Sequence, residues 1–148
     1  MEQTPSLEYC LATLIADYLR QVQQSGGLSS ALGIGIGLEM IARQRPCVVC
    51  HIDTLEFAHS KIIEASGFIL LHTHADETPV LDEAIWVSAL RDALSNTQAL
   101  FDWIATLTRP EQKWDLRRLR LTRCESEIGR EERTRTHTMR FAAGVRAS

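Results

Sequence analysis

Phe68-Ile69-Leu70-Leu71-His72-Thr73-His74-Ala75-Asp76-Glu77-Thr78-Pro79-Val80 is the stretch on which the fold turns. Its first half is apolar at nearly every position before it becomes polar, the pattern of a strand covered on both faces at one end. Asp76-Glu77-Thr78-Pro79 then reads as a helix entry, with Thr78 capping free amides and Pro79 at the first helical position, where a missing N–H costs nothing. Asp82 and Glu83 complement the positive end of that helix. Val80, Ala84, Val87, Leu90 and Leu94 continue as one apolar stripe at helical spacing. A strand feeding an amphipathic helix builds a two-layer core; it does not by itself imply a reaction.

Around this unit, 148 residues suffice for a single domain with a real core, expected to run from residue 1 to 148. Apolar content of 45% and charged content of 24% match soluble globular proteins. A net charge of −3 gives no overall reason to expect nucleic-acid binding. The charge is uneven, however. Acidic residues gather in the middle helix, whereas Arg117, Arg118, Arg120, Arg123, Arg130, Arg133, Arg135, Arg140 and Arg146 fill the last third, an asymmetry that marks a contact surface or the wet face of a hairpin. No apolar run approaches the ~20 residues of a membrane span, and the N-terminus lacks a basic start followed by a hydrophobic block, so no secretory signal is expected. Four cysteines in such a chain read as free thiols.

Thr4-Pro5 opens a helix whose stripe is Leu7, Leu11, Leu14, Ile15, Tyr18 and Val22, stopped by Gly26-Gly27. Gly33-Ile34-Gly35-Ile36-Gly37 is either a weak strand or a loop around a short helical piece from Leu38 to Ala42. Pro46 precedes Cys47-Val48-Val49-Cys50-His51-Ile52-Asp53, β-branched and strand-forming. Leu55 to Ser66 reads as a helical turn or open loop leading to a strand from Gly67 to Ala75. Ser95-Asn96 breaks the central helix, and Leu100, Trp103, Ile104 and Leu107 mark a second short one closed by Arg109-Pro110. Trp114 to Cys124 alternates like a strand with one wet face, Glu125 to Glu131 reads as the turn, and Glu132 to Val145 returns with His137, Met139, Phe141, Ala143 and Val145 on one side. The expectation is an α+β domain: a mostly antiparallel sheet of about four strands, two or three helices on it, and a C-terminal β-hairpin.

Several residue groups raise chemical readings. Cys47-Val48-Val49-Cys50-His51 has the spacing of covalent haem attachment, but in a β-branched segment two core thiols is the plainer reading. Cys47, Cys50, His72 and His74 could supply a Cys2His2 zinc site if a turn brought the sulfurs together; in a strand they point to opposite faces. His72-Thr73-His74 with Asp76 and Asp82 has the His-x-His of metal-dependent hydrolases and deubiquitinase-type metalloproteases, without the serine spacing the latter need. Gly33, Gly35 and Gly37 make neither a phosphate loop nor a dinucleotide fingerprint. The expectation is no cofactor, no bound metal and no catalytic residue.

The layout resembles the tail terminator and tail-completion proteins of long-tailed bacteriophages and prophages. The agreement lies in the helix Leu7–Gln24, the strand at Pro46-Cys47-Val48-Val49-Cys50, the strand-to-helix passage through Asp76-Glu77-Thr78-Pro79, and the closing strands, the last carrying Arg133-Thr134-Arg135-Thr136-His137-Thr138-Met139-Arg140-Phe141. Gly33 to Gly37 departs from the family pattern. The resemblance implies a structural subunit of the virion, assembled in the host cytoplasm into a ring, commonly a hexamer. Such a ring caps the tail tube at the tail–neck junction, touching tube protein and the neck or head-completion protein, with no membrane or nucleic-acid sequence recognition. Carried onto this chain, it implies contacts from Leu28 to Arg45, Leu55 to Ser66 and Cys124 to Arg135. Charge segregation suggests head-to-tail pairing of the acidic helix (Asp82, Glu83) with the arginine hairpin (Arg118, Arg120, Arg123, Arg130, Arg133, Arg135). The alternatives are a small acidic binding module, such as a secretion chaperone or immunity-type protein, and a metal-dependent hydrolase using His72, His74 and Asp76.

Overall fold

The computed structural model describes residues 5–37, 46–107 and 113–147. Chain order is α1 (Leu7–Gln24), β1 (Gly33–Ile36), β2 (Cys47–Phe57), β3 (Ile62–His74), α2 (Val80–Ser95), α3 (Thr97–Ala105), β4 (Trp114–Gly129) and β5 (Thr134–Ala147). The strands form one sheet in the order β1-β2-β3-β5-β4, parallel only between β1 and β2. The α+β reading stands, with five strands instead of about four. The fifth is the Gly-Ile repeat, whose Ile34 backbone lies beside Val48. The short helix considered for residues 38–42, Thr4 as a cap and the Arg109-Pro110 stop fall outside the described residues.

Helix α1 forms where its stripe required, but its cap is Ser6, whose hydroxyl accepts from the Tyr9 amide at 3.2 Å. The chain leaves the helix through Gly26, at φ +88°, a conformation glycine adopts without a Cβ clash. Leu11, Ile15 and Leu19 of α1, Leu90 and Leu94 of α2 and Leu100 of α3 bury themselves against Val48, Ile69, Leu71, Met139, Phe141 and Ala143 on one face of the sheet. The Tyr18 ring packs 5.7 Å from that of Trp103, and its hydroxyl donates to the Ala93 carbonyl at 3.4 Å, joining α1 to both later helices.

Four local expectations are corrected. The segment from Leu55 to Ser66 is neither a loop nor a helical turn: β2 runs to Phe57 and β3 begins at Ile62, so the two make one long hairpin. Glu56 and Glu64, paired across the two strands, are on the wet side of a sheet covered on one face, which a hydropathy reading takes for a loop. Likewise β4 continues through Glu125, Ser126 and Glu127 to Gly129, held by its ladder to Thr134–Thr138 rather than by burial, and the turn is confined to residues 130–133, with Arg133 at φ 54°. Thr78 does not cap α2. It is buried, Pro79 occupies the cap position without a side-chain hydrogen bond, and the helix starts at Val80. The inward face of α2 is also rotated from the expected stripe: Val80 and Ala84 are exposed, and Glu83, Leu90, Ala93 and Leu94 are buried. Asn96 ends α2 and caps α3, accepting from the Ala99 amide at 3.2 Å, so the expected break is where Ser95-Asn96 placed it.

Gly67 sits opposite Ile52, where the β2–β3 register shifts between Ile52 and Thr54. A Cβ there would collide with the His51 carbonyl oxygen and the Ile52 side chain, so only glycine lets the strands close at this bulge.

Candidate functional site: a buried clamp and the surfaces it presents

A carboxylate on the inner face of a helix is the least expected feature of this core. Glu83 is only 5% exposed. It points from the first turn of α2 toward two strands: the Thr73 hydroxyl of β3 donates to Glu83 Oε1, the Arg135 Nε of β5 lies 2.7 Å from Oε2, and the His137 Nε2, also of β5, lies 3.4 Å from the same oxygen. The Arg135 N–H is angled off the oxygen, so that contact is an ion pair rather than a directed hydrogen bond. Arg135 also donates from Nη2 to the Thr78 carbonyl at 3.0 Å, and His137 Nδ1 lies 2.7 Å from Ser126 Oγ on β4. Outside this group, Arg133 forks onto both oxygens of Asp76 at 3.0 and 3.1 Å, while the Ala75 amide donates to the Arg133 carbonyl at 2.7 Å.

Electrostatics explains how the carboxylate survives burial. Desolvation pushes Glu83 toward the neutral form, but the Thr73 hydroxyl, the Arg135 guanidinium and the His137 ring outweigh it and hold Glu83 below the usual carboxylate range. The charged form is therefore the one the fold selects. Ser126, His137 and Glu83 have the residue types of a nucleophile relay. Here, however, the carboxylate is shared between a hydroxyl and a guanidinium, and its contact with the imidazole is the longest of the three. What the arrangement does is fasten the start of α2 to the tip of the β4–β5 hairpin.

That clamp was not foreseen as a unit, although it left a trace. His137 falls on the side of β5 that carries Met139, Phe141, Ala143 and Val145, and Arg135 precedes it on the same side. Glu83 lies seven residues before Leu90 on α2, hence on the same helical face. Charged residues in apolar-facing positions on two elements are the signal of a buried pair.

The residues singled out for metal chemistry are not brought together. Cys50 packs in the helix-side core opposite Ile69, whereas Cys47, three residues away, faces the other side of the sheet opposite His72. The two thiols therefore serve neither one zinc ion nor one haem edge. Burial pushes the Cys50 thiol up to about 12, although Arg20 opposes the shift, and an inert core thiol results. His72 Nδ1 lies 3.1 Å from Thr136 Oγ1, Asp76 is taken by Arg133, and Asp82 is on the exposed side of α2. Among the described residues no group of three or more His, Cys, Asp or Glu side chains is placed to hold a metal ion, and no helix is long and apolar enough to cross a membrane. None of the four cysteines is in a disulfide.

The arginines divide into two sets. Arg118 pairs with Glu64 at 2.9 Å, Arg123 with Glu125 at 2.6 Å, Arg133 with Asp76, Arg135 with Glu83 and Arg140 with Asp53 at 3.5 Å. Among the described residues Arg117, Arg120, Arg130 and Arg146 make no ion pair and are exposed. The acidic helix thus meets part of the arginine hairpin within its own chain. What α2 leaves outward is Asp82 with Val80, Leu81 and Ile85, which are 69%, 71% and 55% exposed. Leu81 and Ile85, one helical turn apart, make an apolar stripe on a helix otherwise packed on a core.

No protein-family model and no curated protein matches the sequence. Among solved structures, the fold is similar to that of a chain in the virion of a native gene transfer agent particle, with a TM-score of 0.60 at 14% identity, over 96% of this chain and 100% of that one. At that identity the likeness is one of fold.

Proposed function

We propose that this protein is a non-catalytic structural component of a phage-like virion. Its copies associate into a ring that caps the tail tube and joins the tail to the neck. The observation that carries the reading is the end-to-end correspondence of its fold with a chain of a virion particle, nearly complete in both directions. The exposed Leu81–Ile85 stripe supports assembly, because a small subunit gains from covering such a surface with another protein. The contacts are made with copies of itself, with the last ring of tube protein and with a neck or head-completion protein. Asp82, Arg120 and Arg130, free of internal partners among the described residues, are available to them.

Disrupting the gene and imaging the particles tests this directly. Tails of irregular length, or tails that fail to join heads, are expected. Tails of uniform length properly attached to heads would refute it. In vitro, light scattering coupled to size exclusion is expected to show a closed oligomer, alone or with tube protein added.

A further inference from the structure

The two ends of the sheet carry surfaces that fit each other. At the end where β3 finishes, α2 begins after a short turn, and from residue 76 to residue 90 the chain has four carboxylates and no Lys or Arg. Asp76 and Glu83 are neutralised by Arg133 and Arg135. Glu77 and Asp82 remain exposed and unpaired beside Val80, Leu81 and Ile85. This end therefore offers an apolar centre with two free negative charges.

At the opposite end of the same strand, Ile62 is 43% exposed and pairs in register with Arg146. It helps line a cleft of about 330 Å³ with Glu64, Arg117, Arg118, Gly144 and Arg146. A smaller hollow beside it is lined by Lys61, Asp115, Arg117 and Arg146. Those linings hold four cations, Lys61, Arg117, Arg118 and Arg146, against two carboxylates, Glu64 and Asp115, a net of +2. Arg118 and Glu64 cancel as a pair, and Lys61, Arg117 and Arg146 make no ion pair among the described residues. β3 has thirteen residues, so about 40 Å separates the two ends.

We propose that the start of α2 of one copy, with Leu81 and Ile85 leading and Glu77 and Asp82 flanking, docks into the Ile62–Arg117–Arg146 cleft of the next. The inference rests on the ring reading above and specifies its interface. Because the two surfaces differ and lie at opposite ends, the contact is heterologous: each copy uses one end as donor and the other as acceptor, and repetition gives a closed cycle where the rotation per copy divides the circle. The clamp at Glu83 fixes the orientation of the helix start, so the donor surface is preorganised and loses little freedom on docking. The apolar stripe supplies the burial, and the charges supply the pairing rule and the salt dependence.

Charge reversal tests this in the full-length protein. One variant carries Glu77→Lys with Asp82→Lys, a second carries Arg117→Glu with Arg146→Glu, and a third carries all four. All four positions are exposed without internal ion pairs among the described residues, and thermal melts followed by circular dichroism check that each variant is folded. Wild type is expected to run as a closed oligomer by light scattering, and each two-site variant to lose assembly at the same concentration, at least a tenfold weakening. An equimolar mixture of the two is expected to assemble again with the variants alternating, since the unchanged donor of one fits the unchanged acceptor of the other and the reversed donor fits the reversed acceptor, and the four-site variant is expected to assemble for the same reason. A bis-maleimide cross-link between Leu81→Cys and Ile62→Cys, with Cys10→Ser and Cys124→Ser, is expected to give a ladder of multimers when both cysteines are on one chain. Assembly of either two-site variant like wild type, or an assembled sample without the 81–62 cross-link, overturns this interface while leaving the ring reading standing. A wild-type protein that stays monomeric even with tube protein overturns the ring reading itself.

Discussion

Glu83→Gln isolates the charge in the clamp while keeping the shape of the side chain. In the native protein the carboxylate faces the Arg135 guanidinium, the Thr73 hydroxyl and the His137 ring, and its own side chain is 6% exposed. Removing one member of a buried ion pair leaves the other charge uncompensated, which costs about 3–5 kcal/mol when burial is complete. The Arg135 side chain retains 20% exposure, so water reaches part of it and the expected loss is about 2–3 kcal/mol. For a chain of this size that lowers the melting temperature by about 5–10 °C. The pH dependence follows from the direction of the shift. The folded-state pKa of Glu83 lies below its unfolded value of about 4.3. Its contribution is therefore complete above that value and lost as pH falls through the lowered folded value. Urea denaturation from pH 7 to pH 2.5 should show the gap between wild type and Glu83→Gln widest above pH ~5 and narrowing below pH ~4. Pairing Glu83→Gln with Arg135→Gln should recover part of the loss, since the second change removes the orphaned charge. A Glu83→Gln protein as stable as wild type at pH 7, or a gap that ignores pH, would show that the carboxylate is not held charged by these partners.

Gly67→Ala should cost about 1–3 kcal/mol in denaturant titration, because its methyl group meets the His51 carbonyl at the β2 bulge. In the native protein Cys124, exposed on β4, should react with an aromatic disulfide reagent rapidly, whereas Cys50 should react only on unfolding; equal rates would contradict the burial and the raised pKa. Arg118→Ala, which frees Glu64 on the open face, should change stability by less than about 1 kcal/mol by thermal melt, since exposed pairs contribute little.

The elements that could be read in the sequence are those whose burial is one-sided and regular. Helix α1 has apolar residues at each inward turn, and β5 alternates from His137 to Val145 along the middle of the sheet. The reading failed where hydrogen-bond pairing, not burial, keeps the chain extended. Glu125-Ser126-Glu127 and Glu56 lie in strands whose local composition is that of a turn, yet each has a ladder partner. It also failed at α2, where Val80 and Ala84 fit the period but the helix turns Glu83 inward, because Arg135 and Thr73 wait there. A hydropathy pattern treats a carboxylate as an outward residue. Only the placement of Arg135 and His137 on the inner side of β5 gives it a reason to be buried, and strand partners are not legible from one segment at a time.

The edge strands bear on where a ring contact can fall. β4 is a sixteen-residue edge, long enough to invite another strand, but its register shifts between Leu116 and Arg118 and again between Leu121 and Arg123. Arg117, Arg120 and Arg123 add charge along it. Bulges and cations are the devices by which proteins keep long edges from pairing with other chains. The other edge, β1, is four residues long and offers a ladder too short to hold a neighbour. Continuing the sheet from copy to copy is thus disfavoured at both sides. The proposed docking between the ends avoids both edges, setting an apolar stripe with free acids at one end against a cleft with Ile62 and free bases at the other. In the proposed interface copies meet along the strand direction rather than across it, and salt should weaken that association without abolishing it, since covering the exposed Leu81 and Ile85 side chains would not depend on charge.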